Sequence, residues 1–94
     1  MLLERAELQI KQGLEEQFAA AMDERGKKLL AGVPGVKSVK LGRGVENPDK
    51  FMLLVEWDSM DAHTAFTKNP ACIAFRELVG PFSKGGAMEH FQMG

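Results

Sequence analysis

Four side chains carry most of the chemical options of this sequence: Trp57, His63, Arg76 and His90. Trp57 is the sole tryptophan, and its flat ring could stack on a planar substrate or pack a core. His63 follows close behind it, and an imidazole with an ordinary pKa of roughly 6.5 could accept a proton from a bound substrate. A solvated helix histidine is the plainer alternative. Arg76 offers a planar fork of donors to an anionic oxygen, or to a nearby surface acid. His90 could face a pocket or a seam between subunits. Phe66 and Phe75 could roof a cavity or pack a core, and with His90 they are the candidate substrate contacts.

No metal site is expected from spacing, because His63 and His90 stand apart and the HxH, HExxH and CxxC patterns are missing. Gly42-Arg43-Gly44 lacks the longer glycine pattern and the following helix of a phosphate loop, and nothing indicates a flavin or nicotinamide. Cys72 has no adjacent activating base and reads as buried filler. Neither a metal nor an organic cofactor is therefore expected.

Ninety-four residues suit one domain, spanning 1–94. A chain of this length buries only roughly 60 to 65% of its unfolded surface, which leaves its own core marginal and raises the prospect of self-association. Hydrophobic content of 45% and charged content of 27% fit a globular protein. Twelve basic against 13 acidic residues give a net charge of −1, which gives no electrostatic case for nucleic acid or an anionic membrane. Glu4 and Arg5 interrupt the N-terminal apolar run, and no uninterrupted one exceeds the five residues of Phe51 to Val55, so neither a signal peptide nor a membrane span is expected. A single cysteine suits a reducing, cytoplasmic setting.

The elements that must position these side chains follow from periodicity. Residues 3–10 alternate, with Ala6, Leu8 and Ile10 opposite Arg5, Glu7 and Gln9, as in a strand with one dry face. From Leu14 a stripe of Phe18, Met22 and Leu29 or Leu30 predicts one long helix, stopped by Gly32 and Pro34. Val36 to Leu41 and Phe51 to Trp57 alternate around a turn-rich loop, giving the second and third strands. In the third, Phe51, Leu53, Val55 and Trp57 share one face while Met52, Leu54 and Glu56 share the other, so both faces need cover. Glu56 is accordingly placed at a subunit interface. Ser59 caps a short helix carrying His63 and Phe66, and Asn69-Pro70 starts another that ends at Gly80-Pro81. Residues 82–86 read as loop and Ala87 to Met93 as the last strand. This βαββαβ order predicts a ferredoxin-like α+β sandwich, a four-stranded antiparallel sheet with both helical segments on one face.

The ordered combination of LLVEW ending the third strand, Asp58-Ser59, Ala62-His63, Asn69-Pro70, AFREL at 74–78 and Gly80-Pro81-Phe82 resembles the antibiotic biosynthesis monooxygenase domain. The resemblance implies a dimeric α/β barrel, in which two sheets meet through the faces their helices leave open. It also implies a pocket between sheet and helices in each subunit, lined by the tryptophan that matches Trp57. Members oxidise polycyclic aromatic phenols to quinones without metal or organic cofactor, oxidise quinols, or degrade haem. The haem-degrading branch pairs its tryptophan with an asparagine and an axial histidine, where Ala6 and Arg76 stand here, which argues against haem degradation. Quinone-forming members often use tyrosine, which this chain lacks.

The expectation is thus a homodimer that oxidises a small, hydrophobic aromatic phenol or hydroquinone. His63, Trp57 and Arg76 would be its catalytic groups. The rivals are a dimer that binds a small molecule without turnover, and a structural or regulatory dimer whose cavity its own side chains fill.

Overall fold

The computed structural model describes residues 1–94. Its elements run β1 (Leu2–Ile10), α1 (Glu15–Ala21), a π-helical turn (Met22–Gly26), α2 (Lys27–Ala31), β2 (Val36–Arg43), β3 (Lys50–Trp57), α3 (Met60–Phe66), α4 (Pro70–Val79) and β4 (Ser83–Gln92). The four strands form one antiparallel sheet in the order β2-β3-β1-β4, the ferredoxin-like arrangement that the element order predicts. No helix is long and apolar enough to cross a membrane.

Alternation decides which face of the sheet is covered. Phe51, Leu53, Val55 and Trp57 on β3 are all buried, and Leu2, Glu4, Ala6 and Ile10 on β1 are buried beside them. Phe18, Met22 and Leu30 cover this face from the long helical segment, and Phe66, Cys72 and Val79 cover it from α3 and α4. Burying side chains of this size contributes about 1.5–3 kcal/mol each, so this layer holds the fold together. On the opposite face Met52, Leu54 and Glu56 are only half-buried, and Phe91 stays 40% exposed.

Two expectations change. The long helix is interrupted by the π turn at Met22–Gly26. A Cβ added at Gly26 would lie 2.4 Å from the Met22 sulfur, so Met22 folds across a residue without a side chain, and the turn widens where that packing occurs. The last strand begins at Ser83, so residues 83–86 are strand where a loop is expected. Here Gly86 pairs with Leu8, and a Cβ at Gly86 would sit 2.2 Å from the Glu7 carbonyl oxygen. The glycines that suggest a loop instead permit close approach of β4 to β1.

Ser59 and Asn69 cap their helices as expected. Ser59 Oγ accepts from the Ala62 amide at 3.2 Å and Asn69 Oδ1 from the Ala71 amide at 2.9 Å, with Pro70 opening α4. Ser59 thus starts α3 directly after β3, and Asn69 restarts the chain as α4, with His63 and Phe66 packed beside Trp57.

Candidate active site

The sheet register makes Glu4 of β1 and His90 of β4 direct cross-strand neighbours on the helix-covered face. His63 descends onto the same spot from the middle of α3, and its ring lies 4.3 Å from that of His90, centroid to centroid. Glu4 Oε1 is 3.4 Å from His63 Nε2 and 3.8 Å from His90 Nε2. Trp57 closes the cluster from β3, donating its indole N–H to Glu4 Oε1 at 3.0 Å. Its ring meets His63 edge-on at 5.3 Å and Phe66 at 5.5 Å.

Glu4 and His63 are buried, at 7% and 8% exposure, and so make an unusual polar inclusion in an apolar layer. Burial pushes the His63 pKa below its ordinary 6.5; the Glu4 carboxylate opposes this shift and His90 adds to it. His63 is therefore a neutral imidazole near neutral pH, with a lone pair available. His63 Nδ1 and His90 Nε2 are both buried without a hydrogen-bond partner.

Beside this cluster lies a cavity of about 380 Å³, within the range that small-molecule sites occupy. It exists because Ala6 and Gly86 leave little side-chain volume on β1 and β4 beneath α3 and α4. Glu4 and His63 supply polar wall, Leu53, Phe66, Phe75 and Met88 supply apolar wall, and Cys72 also contributes. Arg76 is exposed and reaches the same cavity from α4.

Of the side chains singled out from sequence, the structure gathers His63, Arg76, Phe66 and Phe75 on the cavity wall. Trp57 departs from the implied lining position. It is fully buried behind Glu4 and His63, and it touches the site through its hydrogen bond to the carboxylate. His90 lies beside the cavity as part of the polar cluster, not among the residues that line it. The view of the two histidines as separate is also corrected, because register, not sequence spacing, makes them neighbours.

Glu4 is the site residue that sequence reasoning passes over. Its signal is present in the alternation of β1, where a lone carboxylate falls in phase with Ala6, Leu8 and Ile10.

These features define an α+β sandwich with an apolar cavity ending in a buried carboxylate and imidazole. The model of the antibiotic biosynthesis monooxygenase family matches residues 1–78, and the chain belongs to that family. The protein YczJ of Bacillus subtilis strain 168, itself uncharacterised, is 32% identical over 94 residues, covering 98% of either chain. A Bordetella bronchiseptica protein described as a candidate antibiotic biosynthesis monooxygenase superposes with a TM-score of 0.89 at 28% identity, over 98% of this chain and 95% of that one. A variant of SnoaB from Streptomyces nogalater, a cofactor-independent oxygenase, shares the fold with a TM-score of 0.84 at 15% identity, over 98% of this chain and 91% of its own.

Proposed function

We propose that this protein is a cofactor-independent monooxygenase that oxidises an aromatic phenol or hydroquinone to a quinone. The observation that carries the reading is the buried His63 beside Glu4 at the wall of an apolar cavity. Family membership and the fold shared with SnoaB support the same class of chemistry.

In this reading the flat substrate lies between the sheet and Phe66 and Phe75, with an oxygen atom toward Arg76. His63 accepts the acidic proton, and the Glu4 carboxylate stabilises the imidazolium that forms. Trp57 fixes Glu4 for that task through its N–H. The substrate anion then reduces O2, the two fragments join at the ring carbon, and loss of water leaves the carbonyl. For a ring CH2 group the balance is CH2 + O2 → C=O + H2O, with all electrons drawn from the substrate. The apolar walls exclude water from the anion, and Arg76 orients its oxygen.

The unit is a single-domain homodimer, with Met52, Leu54 and Phe91 meeting a second copy, and it works in a reducing cytoplasm that keeps Cys72 a thiol. Sedimentation at micromolar concentration should report twice the 10.4 kDa chain mass. A species of single chain mass would contradict the dimer.

The catalytic test is oxygen uptake with a panel of anthrones and hydroquinones. His63→Ala should lower the rate by about 10²- to 10⁴-fold, the usual share of a general base. Equal uptake by wild type and variant would remove His63 from the mechanism. Saturable binding of these compounds without uptake would favour a non-catalytic binding protein instead.

A further inference from the structure

We propose that Glu4, His63 and His90 form a binding site for one divalent transition-metal ion of the zinc, cobalt or ferrous type. One ligand atom from each of the three residues lies within 4.8 Å of the other two. Two imidazoles and one carboxylate are a donor set that such ions favour, while magnesium and calcium prefer all-oxygen shells.

The distances suit an ion at the centre of the cluster. Donors about 2.1 Å from a tetrahedral ion stand roughly 3.4 Å from one another. Glu4 Oε1 to His63 Nε2 is 3.4 Å, Glu4 Oε1 to His90 Nε2 is 3.8 Å and all three donors lie within 4.8 Å of one another, so side-chain rotation that draws the donors together closes the shell. The orphaned His90 Nε2 gains a partner in this way. An anion would be repelled by the carboxylate, so the free lone pairs point to a cation.

Other features set the affinity. The Trp57 N–H holds Glu4 Oε1 from outside the cluster, as groups behind a metal ligand commonly do. His63 Nδ1 has no acceptor for the N–H it would carry once Nε2 is ligated. Lack of such a partner typically costs about 10- to 100-fold in affinity. Because Glu4 and His63 also line the cavity, the remaining coordination position opens toward it.

One consequence rests on the oxidation proposed above. An ion on His63 Nε2 occupies the lone pair that would accept the proton, so Zn²⁺ would inhibit uptake in proportion to its occupancy. Metal binding itself stands or falls without that reading.

The chain has only two histidines, so imidazole-dependent binding by untagged protein reports on this site alone. Titration with Zn²⁺ by calorimetry, and with Co²⁺ by visible absorption, should give one ion per chain. His90→Ala should weaken binding at least about 10-fold, with Glu4→Gln acting in the same direction. Circular dichroism checks that the variants fold. As a measurement free of mutation, Co²⁺ should shift the ring proton resonances of both histidines of the wild type together. Zn²⁺ binding no tighter in wild type than in folded His90→Ala, or a Co²⁺ titration that leaves either histidine signal in place, would overturn the proposal. Oxygen uptake by a protein that binds no metal would leave the proposed oxidation standing and remove this site alone.

Discussion

At one end of the paired strands β1 and β3, Phe51 sits across from Leu8 and meets Phe18 edge to face at 4.9 Å, with Phe82 next to Phe18 at 5.8 Å. At the other end of the same pair, Trp57 sits across from Leu2 and closes over Glu4, His63 and His90. Both ends are buried and both are aromatic. The first is dry hydrocarbon, in which each contact adds to stability; the second retains a carboxylate and unpartnered imidazole nitrogens, which hydrocarbon packing would exclude. Chemistry and stability therefore occupy opposite ends of one strand pair, and the cavity runs along β1 from Glu4 at the polar end to Leu8.

Phe18→Ala at the dry end should have the largest effect. Phe18 is fully buried against two aromatic rings, and its truncation should cost about 3–5 kcal/mol in urea unfolding. A loss below about 1 kcal/mol would show that α1 collapses into the space, so that this end is less rigid than its packing indicates.

Two substitutions at Glu4 sharpen the contrast from the polar end. Glu4→Leu removes the acceptor of the buried Trp57 N–H, and that orphaned donor should cost about 1–3 kcal/mol. Glu4→Gln keeps an acceptor there while deleting the charge, so stability should stay within about 1 kcal/mol of wild type while oxygen uptake falls. Equal unfolding free energies for the two variants would mean that the indole hydrogen bond contributes little and that Trp57 is held by packing alone.

The dry end was far more legible in the sequence than the polar end. The alternation of Phe51 to Trp57, the stripe through Phe18 and Met22, and the caps Ser59 and Asn69 are local patterns, and local patterns predict elements. The π turn escaped because it depends on how Met22 packs over Gly26, which no three- or four-residue spacing encodes. Gly85 and Gly86 hid the start of β4, since a glycine pair marks a loop or a close strand contact equally well. His63 and the aromatic walls are legible in the sequence, but their grouping is not: Glu4 reaches His90 through strand register and His63 through helix docking, and both are tertiary relations. Trp57 was recognised as part of the site, while its place behind the carboxylate depends on the same register.

The smallest expected effect tests whether the polar end is held neutral at His63, with Glu4 on β1, His90 on β4 and Trp57 on β3 facing the ring. The folded-state pKa lies below 6.5, chiefly through burial, so as pH falls the unfolded chain takes up this proton before the folded chain does. Stability linked to His63 is thus fully present above pH 6.5 and declines as pH falls through 6.5 toward the folded pKa, where the loss is complete. Urea unfolding of wild type and His63→Gln, with a chelator present and pH stepped from about 8 to about 5, isolates this contribution as the difference between two curves. The variant should lack the decline that the wild type shows over that interval. Parallel curves would mean that His63 charges as easily inside the fold as outside it. In that case Glu4 would outweigh burial at this ring, and the distinction between a polar end held neutral and an ordinary ion pair would fall.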